Sequence, residues 1–195
     1  MKLSKKGEYA LRALIDLGIA AEVGRSLVQV SELANNEQLP VKFLEQIMQL
    51  LKEEGFVASQ RGKFGGYRLA RPAARIAVGQ VVRLIDGPLA PIGCVSQSAY
   101  EKCSCPDEAH CGLRMLMLDV RNAITSILDR HTLADVVEVT LRKMRRDGIA
   151  LPFTQPPRNA RLAHPRRRGA RAAPAAGRLR PVEGMINNLL GDYAI

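Results

Sequence analysis

At 195 residues the chain has room for one ordinary core, or for a small domain with appended helices, but not for two large domains. Its composition, 47% apolar, 25% charged and 4% aromatic, is that of a soluble globular protein. No apolar run reaches the roughly 18 to 20 residues of a membrane span, and the opening Met1-Lys2-Leu3-Ser4-Lys5-Lys6 leads into an amphipathic stretch, so a cytoplasmic location without membrane contact is expected. The net charge of +10 is less informative than it looks. Of 29 basic and 19 acidic side chains, eight Arg fall in residues 151–182 with no acid beside them, which leaves 21 basic and 17 acidic side chains in residues 1–150. A nucleic-acid reading must therefore rest on placed residues.

The first region, 1–87, reads as three helices, a hairpin and a further helix. Leu3, Ala10, Leu11, Ala13, Leu14, Leu17 and Ala20 recur at helical spacing, with Gly24 as the exit. A short segment after Ser31 is expected to stop at Asn35-Asn36. Pro40 opens a longer helix to Glu54 whose stripe is Phe43, Leu44, Ile47, Met48 and Leu51, and Gly55 ends it. Residues 56–60 and 67–69 are strand candidates joined by Arg61-Gly62-Lys63-Phe64-Gly65-Gly66, and Val78 to Ile85 is a short helix stopped by Gly87-Pro88.

A short helix, a tight connection and a longer helix are the arrangement that seats one helix in a major groove. The candidate reading residues are Gln38, Pro40, Val41, Lys42, Gln46 and Gln49, because glutamine pairs with adenine edges and a helix N-terminus favours phosphate. The hairpin strengthens this, since Arg61, Lys63 and Arg68 stand among glycines that let the backbone approach a groove closely. A phosphate-loop reading of Gly62 to Gly66 fails because neither the Lys-Ser/Thr ending nor a following helix is present. The fold class is mainly α with a small β wing, a winged helix-turn-helix followed by a long helix.

The second region, 88–149, begins with a loop that carries all four cysteines, Cys94, Cys103, Cys105 and Cys111. In a cytosolic chain such clustering points to soft-metal ligation or thiol redox chemistry rather than to structural disulfides. The intervals of eight, one and five residues do not match the CxxC pairs of a zinc ribbon. Iron-sulfur, zinc, and oxidation of Cys103 or Cys105 toward a resolving thiol all remain open. A nucleophilic Cys111 beside His110 has no accompanying pocket signature, so no enzyme is expected. From Gly112 a long helix shows Leu113, Leu116, Met117, Val120, Ile124, Ile127 and Leu128 at threes and fours, a stripe suited to core packing or to pairing with a second copy. A further helix spans 133–146. The third region, 150–195, rich in Arg, Ala and Pro, is expected to be a disordered basic tail, with residues 185–193 as a short terminal helix candidate.

Three segments share a resemblance. Met1-Lys2-Leu3-Ser4-Lys5-Lys6-Gly7-Glu8-Tyr9-Ala10-Leu11-Arg12-Ala13-Leu14, then Val41-Lys42-Phe43-Leu44-Glu45-Gln46-Ile47, then Arg61-Gly62-Lys63-Phe64-Gly65-Gly66-Tyr67-Arg68-Leu69-Ala70-Arg71-Pro72 resemble the Rrf2 family of bacterial transcription regulators over roughly residues 1–140. The resemblance implies a homodimer, paired through long helices like 112–129, on a pseudo-palindromic double-stranded DNA operator, with repression as the expected direction. It also implies backbone contacts from Arg12 and minor-groove contacts from Arg61. Many members hold a 2Fe-2S or 4Fe-4S cluster on three loop cysteines separated by five residues each. Cys105 and Cys111 fit one such interval, whereas the first position falls on Ala99, so Cys94 or Cys103 must substitute. Glu8 stands where some members supply a fourth ligand from the partner's first helix. The alternative within the resemblance is a regulator without a cluster, switched by cysteine oxidation, zinc or a small metabolite.

Overall fold

The structure is a computed structural model that describes residues 2–154; the basic tail and the terminal helix candidate lie outside the described residues. Its elements are α1 (Lys5–Glu22), α2 (Val30–Glu37), α3 (Val41–Glu53), β1 (Val57–Gln60), β2 (Gly66–Leu69), α4 (Val78–Asp86), α5 (Gly112–Arg130) and α6 (Leu133–Arg146).

Helix α1 is the axis of the fold. Ser4 caps it by accepting a hydrogen bond from the Gly7 amide at 3.0 Å, and its own amide donates to Asp86 at the end of α4, also at 3.0 Å. Ala10, Ala13, Leu14, Leu17, Ile19 and Ala20 are buried, and small residues on this helix let its neighbours come close. A side chain at Gly18 would stand 2.5 Å from Val137, which is how α6 seats against α1. Helix α6 supplies Leu133, Val137 and Leu141, one turn apart, to the apolar cluster that also holds Leu33, Leu44, Ile47, Met48 and Leu51 of α2 and α3. The Thr132–Asp135 capping box starts α6, and the exchange of Val78 and Leu133 amides with the His131 and Ile76 carbonyls ties that start to the start of α4.

Two local expectations are corrected. Asn35-Asn36 does not end α2, which continues through Glu37, because Asn36 donates its amide to both carboxylate oxygens of the buried Asp16 on α1, at 2.9 and 3.1 Å. That tertiary bond offsets the weak helix preference of asparagine, and the stop falls on Gln38, whose φ of 53° is left-handed. Pro40 is the N-cap of α3 rather than its first residue.

The long helix α5 buries none of its residues in this chain, with Leu113, Met115, Leu116, Val120 and Ile127 all exposed. Of its stripe, Leu113, Leu116, Val120 and Ile127 are left exposed, while Met117, Ile124 and Leu128 are half-buried. Among the described residues, no helix is long and apolar enough to cross a membrane.

Candidate nucleic-acid interface and cysteine loop

Helix α3 is divided cleanly into two faces. Leu44, Ile47, Met48 and Leu51 face the core, so Val41, Lys42, Glu45, Gln46 and Gln49 are left in solvent. Gln38 and Pro40 are at its N-terminal end, where the amides carry partial positive charge. Gln49 is engaged along its own helix, donating to Glu53 at 2.7 Å.

The wing is a two-stranded antiparallel hairpin that pairs Val57 with Leu69 and Gln60 with Gly66. Arg61, Lys63 and Arg68 are exposed on it, and the Lys63 ammonium sits 5.9 Å from the ring centroid of Phe64, itself half exposed. The hairpin is held to the helix-turn-helix by Val28, which exchanges backbone hydrogen bonds with Tyr67 at 2.8 and 3.0 Å. Gly66 makes this approach possible, since a Cβ there would meet the Val28 carbonyl oxygen at 2.6 Å. Gln29 adds a side-chain bond to the Lys63 carbonyl at 3.3 Å.

Arg12 is placed differently from the other cations. Its guanidinium bonds the Glu37 carboxylate and, at 2.8 Å, the Glu37 carbonyl, stands 3.5 Å from Glu8 and lies over the ring of Tyr9. It therefore clamps α1 to the end of α2. The Glu8 carboxylate, likewise, is taken up by Lys5 at 2.8 Å and by Arg12. Buried beneath this clamp, 2% exposed, Asp16 has its pKa pushed up to about 7, chiefly by desolvation, with the neighbouring Glu37 carboxylate adding to the effect and the Asn36 bond opposing it.

The four cysteines are free and close in series. Cys103 interacts with both the Cys94 and Cys105 thiols, and Cys105 Sγ stands 3.9 Å from Cys111 Sγ. Cys94 is buried, which pushes its thiol pKa up. Cys111 is the N-cap of α5, and hydrogen bonding from the Arg114 amide holds its pKa below the usual thiol value. Cys105 moves the other way, to about 11, through its hydrogen bonds with Cys103 and Cys111. Residues absent from the sequence-based reading position this loop. Arg114 pairs with Glu108 at 3.1 Å and reaches the Cys94 carbonyl at 3.4 Å, Arg121 donates to the Val95 carbonyl at 2.9 Å, and Tyr100 donates to Glu108 at 2.7 Å. Among the described residues, no three Cys, His, Asp or Glu side chains converge to hold one metal ion. A multi-iron cluster spreads its thiolates over several metal ions, and the supply of four soft thiols suits that donor chemistry.

A family model described as an iron-dependent transcriptional regulator, Rrf2, matches residues 3–139. The chain belongs to the Rrf2 family. An rrf2-like HTH-type transcriptional regulator of Rhodobacter capsulatus is 39% identical over 139 residues, spanning 69% of this chain and 91% of the relative. Among solved structures, CymR, the global cysteine regulator of B. subtilis, superposes with a TM-score of 0.60 at 29% identity, covering 71% of this chain and 98% of that one. IscR of T. potens does so with 0.56 at 28% identity, covering 77% and 93%. As an Rrf2 protein the chain is a helix-turn-helix transcription regulator that acts by binding DNA rather than by catalysis. The family match stops inside α6, short of the basic tail.

Proposed function

We propose that this Rrf2 regulator binds a pseudo-palindromic operator as a homodimer paired through α5, and that the oxidation state of its cysteine loop sets its affinity. Contacts to base edges come from Gln38, Val41, Lys42, Gln46 and Gln49, and contacts to phosphates and the minor groove from Arg61, Lys63 and Arg68. The exposed apolar stripe of α5 supports the pairing. The observation that carries the switch is the 3.9 Å approach of Cys105 and Cys111, with Cys111 favoured as the thiolate at a helix N-terminus.

The chemistry balances with a peroxide as oxidant. The Cys111 thiolate attacks the peroxide oxygen, the O–O bond breaks, and sulfenic acid and water form. The Cys105 sulfur then displaces hydroxide from the Cys111 sulfur, and a second water leaves with the thiol proton. Closing the bond draws the two sulfurs together from 3.9 Å to about 2.05 Å. The strain enters at the first turn of α5. That helix packs on α4, to which Asp129 also binds it through Arg83 at 2.6 Å, and α4 packs on α1, which carries α3.

A second reading keeps the same regulator and lets the four thiols hold an iron-sulfur cluster, in keeping with a family description that names iron dependence without naming a cluster. Cys94, Cys103, Cys105 and Cys111 would be its ligands, with Glu8 of a partner chain as a further candidate, and the cluster would supply redox and oxygen sensitivity. Anaerobic purification followed by iron and sulfide assay, and mass analysis after peroxide, separates the two. Colourless protein that forms a Cys105–Cys111 disulfide fits the first reading, and near-stoichiometric iron and sulfide fits the second.

A further inference from the structure

Tyr9, Arg12 and Asp16 follow one another at three- and four-residue intervals along one face of α1, and each meets the helix-turn-helix at a different point. The Tyr9 ring packs edge-on against Phe43 of α3, with centroids 5.9 Å apart. Arg12 lies over the same ring and takes the Glu37 carboxylate and carbonyl at the end of α2. Asp16, one turn further on, is buried and accepts from Asn36, the residue before Glu37, through both of its oxygens. The Glu37 carboxylate also shares a hydrogen bond with the Asp16 carboxyl group. Two adjacent turns of α1 thus hold two consecutive residues of α2.

The chain that follows those residues is short and stiff. Gln38, Leu39 and Pro40 alone separate α2 from α3. Gln38 is left-handed, the buried Leu39 donates its amide to the Ala34 carbonyl at 2.8 Å, and the Pro40 ring fixes φ at the N-cap of α3. Leu44 is the first buried residue of α3, so Val41 and Lys42, exposed ahead of it, take their position from this turn and from the Tyr9–Phe43 contact. A displaced end of α2 is therefore a displaced reading end of α3.

We infer that Asp16 is a positioning residue for DNA reading, which through Asn36 fixes the end of α2 and so the aim of α3. It makes no contact with DNA itself. The wing is tied to Val28 instead, so losing the Asp16–Asn36 bond weakens discrimination between base sequences and leaves sequence-independent phosphate binding in place. The inference rests on the reading of α3 as the groove helix.

The test compares the full-length chain with Asn36→Ala, Asp16→Ala and Asp16→Asn. Asn36 is exposed and alanine is the better helix former, so Asn36→Ala removes the bond without weakening α2 locally. Affinity is measured by fluorescence anisotropy on an operator that the wild type recovers from genomic fragments and on a scrambled duplex of equal length. Asn36→Ala and Asp16→Ala should lower the ratio of operator to scrambled affinity by about five- to tenfold, the worth of one such bond, with affinity for the scrambled duplex unchanged. The double variant should lose no more than either single one. Asp16→Asn should keep the ratio within about twofold, because its amide oxygen still accepts from Asn36 and its nitrogen donates to Glu37. Exchange of the Leu39 amide, followed by NMR without DNA, should quicken in the two alanine variants and not in Asp16→Asn. A wild-type ratio in Asn36→Ala, or an equal fall on both duplexes, overturns the inference. Unchanged Leu39 exchange with a fallen ratio overturns it alone, whereas faster exchange with an unchanged ratio overturns the groove-helix reading of α3 as well.

Discussion

Substituting Gly66→Ala should uncouple the wing from the helix-turn-helix. The new Cβ would stand 2.6 Å from the Val28 oxygen and 2.8 Å from its carbonyl carbon, and both are backbone atoms that cannot rotate away. Relief requires β2 to withdraw from Val28, which breaks the two amide–carbonyl bonds between Val28 and Tyr67. Each such bond contributes a net ~1 kcal/mol, and loosened packing around the buried Val28 adds about as much again, so a loss of about 2–4 kcal/mol is expected. Gly62→Ala at the hairpin tip is the control. Nothing lies within 4 Å of its Cβ position, so only its φ of 115° opposes the change, at about 1–2 kcal/mol. Urea unfolding followed by circular dichroism measures both. A Gly66→Ala variant within about 0.5 kcal/mol of wild type, or a Gly62→Ala variant that loses more, would refute the steric argument.

Asp16 makes stability fall as pH rises. Its carboxyl group titrates at the ordinary 3.8 in the unfolded chain and at about 7 in the fold, so between these values unfolding releases a proton and is favoured by base. Up to about 4 kcal/mol is lost from about pH 4 to 7, with no further change above. Asp16→Asn should flatten that profile in denaturant melts at several pH values, and a slope equal to wild type would contradict the assignment. Leu116→Glu on the exposed stripe of α5 should convert a dimer to a monomer by light scattering without lowering the monomer's melting temperature; a persistent dimer would move the interface elsewhere. At neutral pH iodoacetamide should modify Cys111, whose thiol pKa is lowered, before the buried Cys94 and before Cys105, whose hydrogen bonds raise its pKa, as read by peptide mass spectrometry. Early labelling of Cys94 would count against the described loop.

The parts legible in the sequence are those with local causes. The stripe of α3, its Pro40 boundary and the glycine-rich hairpin depend on periodicity and turn chemistry within a few residues, and they lie within a residue of where they were expected. Non-local contacts were hidden. The sequence marked 133–146 as a helix but could not name α1 as its partner, because the space for Val137 is made by Gly18, more than a hundred residues earlier. Asn35-Asn36 looked like a stop since the buried acceptor on Asp16 is not adjacent in sequence. Arg12, read as a phosphate contact by resemblance, is held by Glu37 and Glu8, an arrangement visible only once α1 and α2 are packed. The cysteine spacing gave a set of thiols without their order of contact, and the fold supplies that order, with Cys105 next to Cys111.

The most direct test of the redox switch is the affinity of one protein preparation for an operator recovered by genomic-fragment selection, before and after peroxide treatment, with intact mass read in parallel. The account predicts tight binding of one state, and a change of at least about tenfold, or about 1.4 kcal/mol, that appears with a mass loss of two hydrogens and is reversed by dithiothreitol. Equal affinity in the reduced protein and in protein verified to carry the Cys105–Cys111 bond would contradict it.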